Sequence, residues 1–204
     1  MNIIANDCVG GELYRLCDEE FKSPFMWTIL PFKDFLELYK NYDDIDFKNI
    51  KYRETPNYYF SWYMSSLVID DRVNVYFPHH SRDWKYEEFT KYEPVKGQSM
   101  CVWNQMDKYI IEHYNKRVER MIEKPCFIYS QENRNTEEQL KRLIDVSVYN
   151  KYHLIFITSN NDLITEYSNK TRNVRWLLKN KNEVIQKKQA EAIKDNFIDF
   201  VNYK

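Results

Sequence analysis

Apolar residues recur along this chain with two periods, and the alternation between them predicts its elements. Contiguous or alternating apolar runs read as strands, and apolar residues returning every three or four positions read as helices. "NIIAN" (2–6) predicts a short buried strand. "GELYRLCDEE" (11–20) predicts a helix with Leu13, Leu16 and Cys17 on one face and Asn6 or Asp7 as its cap. "FMWTIL" (25–30) reads as extended, and Pro31 suits the first turn of "PFKDFLELYKNY" (31–42), where Phe32, Phe35, Leu36 and Tyr39 recur at helical spacing. "NIKYRE" (49–54), "YFSWYM" (59–64) and "RVNVYF" (72–77) predict strands, the last two around a turn at Asp70 and Asp71. A long helix is expected over 104–122, then the strand "CFIYS" (126–130), the helix "TEEQLKRLIDV" (136–146), the strand "HLIFIT" (153–158) and a C-terminal helix ending near "FIDFVNY" (197–203). Strand and helix alternating in this order predict an α/β layer architecture.

Length and charge bound the rest. With 204 residues and no break in composition, repeat or low-complexity segment, one domain over 1–204 is expected. Thirty Lys and Arg against 31 Asp and Glu leave a net charge of −1 with the signs mixed along the chain, which argues against nucleic acid as a partner. The N-terminus has no basic leader region and no apolar run approaches the ~18 residues of a membrane span, so a cytoplasmic protein is expected. Cys8, Cys17, Cys101 and Cys126 form no CxxC pair. No metal site is expected from them, and free thiols are.

Candidate chemistry concentrates in three places. The chain has three glycines, and two of them, Gly10 and Gly11, are adjacent in "NDCVGG" at the end of the first strand. A pair there implies a tight turn or a close approach. Ligands of open α/β sheets collect outside the carboxyl ends of strands, where helix N-terminal amides receive anions. Cys8 stands where such a terminus would lower a thiol pKa. The alternative is a tight turn with a buried, inert cysteine and Asn6 as cap. His79 follows "RVNVYFP" at an expected strand end, where it would serve as a general acid or base, or else anchor a loop. On the 104–122 helix, Met106, Ile110, Tyr114, Val118 and Met121 form an apolar stripe, with His113, Arg117 and Arg120 together along its edge. Two guanidiniums three residues apart bind phosphate jointly, or else shield the core and pair with glutamates.

These same segments resemble a known family. "IIANDCVGGELYR" resembles the I-S-N-N-C-W-G-G-x-x-Y signature of the DUF1919 family, whose tyrosine falls on Tyr14. "SPF" (23–25), "DDRVNVYFPHH" (70–80) and "YNKRVERM" (114–121) resemble three further blocks in the family's order. The chain departs from the pattern at Asp7, Val9, Tyr76 and His80, so that only His79 matches the second histidine of the 70–80 block, and about twenty extra residues around 81–103 separate that block from the Arg-bearing helix.

The resemblance implies a three-layer α/β/α fold with a Rossmann-like sheet of mixed strand direction, and a link to exopolysaccharide or capsule biosynthesis in bacteria. The resemblance carries no settled reaction; the function expected is a transferase, for glycosyl or acyl groups, acting on a sugar, sugar phosphate or nucleotide-linked sugar. Asn6, Asp7, Gly10, Gly11, Tyr14, Arg117 and Arg120 would hold the substrate, with Cys8 or His79 carrying the chemistry. The alternatives are a non-catalytic sugar-phosphate binding or assembly module and an SGNH-like hydrolase. No cofactor or oligomeric state is implied.

Overall fold

The computed structural model describes residues 2–18, 22–25, 27–57, 62–83, 106–121, 124–131, 135–179 and 186–201. Four short apolar runs, β1 (Ile3–Ala5), β5 (Cys126–Ser130), β6 (His153–Thr158) and β7 (Val174–Leu178), form a wholly parallel sheet in the order β1-β5-β6-β7. In register, Ala5 lies beside Ile128, Ser130 beside Ile157, and Thr158 beside Leu178. The carboxyl ends of all four strands therefore share one edge.

Both faces of this sheet are covered, which is why its central strands read as unbroken apolar runs. Ile3, Ala5, Cys126, Ile128, Ile155 and Ile157 face α1 (Val9–Leu16) and α6 (Gln186–Val201), whose Val9, Leu13, Tyr14, Ala190 and Ile193 complete one core. The alternate positions Ile4, Phe127, Tyr129, Leu154 and Phe156 face α2 (Phe32–Asn41), α4 (Glu137–Tyr149) and α5 (Asn161–Tyr167) in the other. The result is the expected α/β fold in three layers. In α4 a capping box fixes the start: Gln139 N–H donates to Thr136 Oγ1 at 3.2 Å, and Thr136 N–H donates to Gln139 Oε1 at 3.0 Å.

A second, antiparallel sheet of β2 (Ile50–Asn57), β3 (Trp62–Ile69) and β4 (Val73–Asp83) adds Leu67, Ile69, Val73, Val75 and Phe77 to the second core. The parallel and antiparallel strands that one mixed sheet would combine are thus divided between two. The turn expected at Asp70 and Asp71 joins β3 to β4, and both residues are left-handed, with φ of 52° and 55°. That is the twist-matched hairpin geometry, which short polar side chains tolerate. Helix α3 (Met106–Val118) packs Ile110 and Tyr114 into the same core.

Among its described residues, the segment expected to be extended over 25–30 forms no strand. Phe25 lies in a turn, and Ile29 alone forms a bridge to Tyr76, with hydrogen bonds of 2.8 and 3.0 Å, while Leu30 N–H donates to the Asn6 carbonyl at 3.0 Å. This segment ties the antiparallel sheet to the end of β1. Asp34, in the first turn of α2, adds a second tie by accepting from the Asn74 backbone and side-chain amides at 2.7 and 2.8 Å. Most of the extra segment expected around 81–103 lies outside the described residues. No helix among the described residues is long and apolar enough to cross a membrane.

Candidate functional site

The turn between β1 and α1 gathers Asn6, Asp7, Cys8, Gly10, Gly11 and Tyr14, and internal contacts occupy most of it. Asn6 is fully buried. Its Nδ2 donates to the Ser130 carbonyl at 3.0 Å and its Oδ1 accepts from Ser130 N–H at 2.7 Å, so the side chain extends the β1–β5 ladder by one position. Asp7 Oδ1 accepts from Val9 N–H at 2.9 Å, which places the protein's own carboxylate at the start of α1. The Tyr14 hydroxyl is buried and accepts from Ile3 N–H at 3.3 Å.

The glycine pair has its explanation in packing. A Cβ on Gly10 would stand 3.1 Å from Ala5 Cβ and 3.3 Å from Ile3 Cγ2, and one on Gly11 would stand 2.7 Å from the Trp27 ring. Both glycines are buried in α1. What approaches closely is strand β1 on one side and Trp27 on the other, and the pair does not form an open cradle of amides.

Cys8 corrects an expectation. Burial, and then the negative charges of Asp7 and Glu12 beside it, push its thiol up to about 11, the opposite direction to the one expected of a helix N-terminus. No disulfide joins Cys8, Cys17 and Cys126 to one another. Cys101 lies outside the described residues.

His79 is placed differently from the expectation as well. Strand β4 does not end at Pro78 but runs on to Asp83, so His79 lies inside a strand of the antiparallel sheet and not beyond the carboxyl end of a parallel one. Phe77 pairs with Ser65 and Ser81 with Met64, which leaves Pro78, His79 and His80 in an irregularity without partners on β3. Proline has no N–H to give to the ladder. The His79 side chain lies outside what is described.

The third group sits on α3. Ile110 and Tyr114 are buried and Val118 and Met121 pack against the core, as the stripe predicts. His113 and Arg117 are half-buried at its edge, and burial followed by the charge of Arg117 lowers the His113 pKa. Arg120 follows the end of the helix and its Nε donates to the Lys116 carbonyl at 3.0 Å, capping its own helix. Asp7 and Glu12 act on Cys8, whereas Arg117, Lys116, Glu112 and Arg120 act on His113.

The carboxyl edge of the parallel sheet carries polar residues that sequence reasoning missed. Lys179, just past β7, donates from Nζ to the Gln131 carbonyl at 2.5 Å and to Ser130 Oγ at 3.3 Å. Ser130 Oγ donates to Gln189 Oε1 at 3.2 Å, while Gln131 Oε1 accepts from Thr158 Oγ1 and, at 3.2 Å, from Ser159 N–H. Ser130 and Thr158 are buried, Lys179 is half-buried, and Asn6 joins the cluster through the Ser130 backbone. Each of Ser130, Thr158 and Lys179 ends or directly follows an apolar run, in "CFIYS", "HLIFIT" and "VRWLLK". That position was the available signal. Among the described residues, no group of three or more His, Cys, Asp or Glu could hold a metal ion.

A three-layer α/β domain with its polar side chains collected where four parallel strands end belongs to the class of folds that bind ligands at that edge. Within that class, the family model of DUF1919, a domain of unknown function, matches residues 1–92. No curated protein matches the chain.

Proposed function

We propose that the chain acts in surface-polysaccharide synthesis by binding a sugar that carries a phosphate, and that the ligand is received at the carboxyl edge of the parallel sheet beside Lys179. The resemblance to DUF1919 supplies the polysaccharide context. The observation that carries the reading is the gathering of the Lys179 amine, the Ser130 and Thr158 hydroxyls and the Gln131 and Gln189 amides at this edge. A lysine amine is a common phosphate partner, and hydroxyl and amide groups suit sugar oxygens. Chemistry through Cys8 draws no support from a thiol raised to about 11, which is protonated at neutral pH.

The test is a thermal shift with a nucleotide sugar, a sugar phosphate and inorganic phosphate. A sugar phosphate or nucleotide sugar raises the melting temperature of the natural chain, Lys179→Met abolishes the shift, and Cys8→Ser retains it. No shift with any of the three, or a shift that Lys179→Met leaves intact, removes this reading.

A transferase reading has one observation in its favour, the 3.3 Å approach of Lys179 Nζ to Ser130 Oγ. A hydroxyl beside an amine is a pairing that acyl transfer uses. Turnover of an activated donor that is lost in Ser130→Ala and kept in Cys8→Ser establishes transfer over binding alone.

A further inference from the structure

At the opposite end of the parallel sheet, a cleft of about 450 Å³ opens between the starts of β6 and β7 and the last turns of α6. His153 and Arg175 line it from the strands, and Asp195, Asn196 and Asp199 from the helix. The α6 path breaks inside this stretch, where Phe197 adopts φ −136° and ψ 15°. Phe200 fixes the strand side: its ring stacks on His153 at 3.9 Å and 7°, and the Arg175 guanidinium lies 4.4 Å from its centroid.

The charges in this cleft decide what fits it. Arg175 rests on an aromatic face and forms no ion pair with Asp195 or Asp199, although all three line the same space. A purely anionic ligand meets two carboxylates, and a purely cationic one meets the guanidinium. A neutral molecule rich in hydroxyls satisfies both sides, since its oxygens accept from the Arg175 fork and its O–H groups donate to the carboxylates. Phe197 also lines the cleft and offers apolar surface to the C–H face of a sugar ring. The volume falls within the roughly 300–1,000 Å³ range of small-molecule clefts.

We infer that this cleft is a binding site for a neutral saccharide, separate from the phosphate-accepting edge proposed above. The test uses the full chain and ligand-observed NMR with glucose, galactose, N-acetylglucosamine and glucuronic acid. At least one neutral sugar binds saturably at millimolar concentration and more tightly than glucuronic acid, and Arg175→Ala and Asp199→Asn each weaken it tenfold or more. Asp199 is exposed, so Asp199→Asn keeps the natural melting curve and tests the cleft apart from folding, whereas Arg175→Ala also removes the contact with the Phe200 ring. Lys179→Met leaves neutral-sugar binding unchanged, which separates this site from the other. Absence of saturable neutral-sugar binding, tighter binding of glucuronic acid, or binding insensitive to both cleft variants overturns the inference.

Discussion

The side-chain amide of Asn6 pairs with the backbone of Ser130 as a strand would, donating at 3.0 Å and accepting at 2.7 Å across 124 positions of sequence. Both groups are buried, so Asn6→Ala strands a carbonyl and an N–H at the centre of the carboxyl edge. Leaving a buried polar group unsatisfied costs about 1–3 kcal/mol, and the variant loses about 2–5 kcal/mol in urea unfolding.

Asn6→Asp separates the two bonds. A carboxylate still accepts from Ser130 N–H but faces the Ser130 carbonyl without a proton to donate. Burial and that carbonyl raise the introduced acid's folded pKa, so its deficit relative to the natural chain is smallest below pH 4 and grows as pH rises through the folded value. A deficit that does not vary with pH between 3 and 7 contradicts the donor role.

Gly11 and Trp27 form a second coupled pair. A methyl on Gly11 would stand 2.7 Å from the indole ring, so Gly11→Ala destabilises by about 1–3 kcal/mol through overpacking. In the Trp27→Leu background the same substitution costs less. Additive losses in the double-mutant cycle would show that the ring moves aside freely.

These two pairs also mark what the sequence made legible. The helical stripe of α3, the buried strands β5 and β6 and the Asp70–Asp71 turn follow local period and local turn chemistry, and the structure repeats them. The glycine pair announced a close approach, but Trp27 lies sixteen positions further on and local spacing does not reveal it. The apolar run "RVNVYFP" read as a strand ending at Pro78, yet β4 absorbs the proline in an irregularity and continues. The cluster of Ser130, Gln131, Thr158, Lys179 and Gln189 comes from segments that only the parallel topology brings to one edge. Each of these residues is an ordinary polar position in its own segment.

Thiol reactivity tests the reading of Cys8. With its pKa raised to about 11, the thiol alkylates slowly at pH 8, and the rate climbs through pH 9 and 10 without a plateau near neutrality. Asp7 and Glu12 both contribute to the shift, so Asp7→Asn speeds alkylation at a fixed pH by relieving one of them. Mass spectrometry that resolves Cys8 from the other cysteines supplies the measurement, and a rate at pH 7 already at its maximum would reverse the assignment.

His153 gives the fold an acid-sensitive contact whose sign is set by its surroundings. Burial is the largest influence and lowers its pKa, Arg175 lowers it further, and the hydrogen-bonding contact of Nδ1 with the Phe200 carbonyl, at 3.1 Å, pulls the other way. Asp195 and Asp199 line the same cleft from α6. The folded chain therefore favours the neutral ring more than the unfolded chain does, whose histidine titrates near 6.5. The stability this contributes is present above pH 6.5 and is lost as pH falls through the lower folded value. His113, lowered by burial and then by Arg117, acts in the same direction. His153→Gln keeps an amide able to donate to the Phe200 carbonyl and removes the titration. Urea unfolding from pH 7.5 to 5.5 then shows a shallower decline in the variant than in the natural chain, and a steeper or equal decline would mean that the ring gains a proton on folding or that its titration does not differ between the two states.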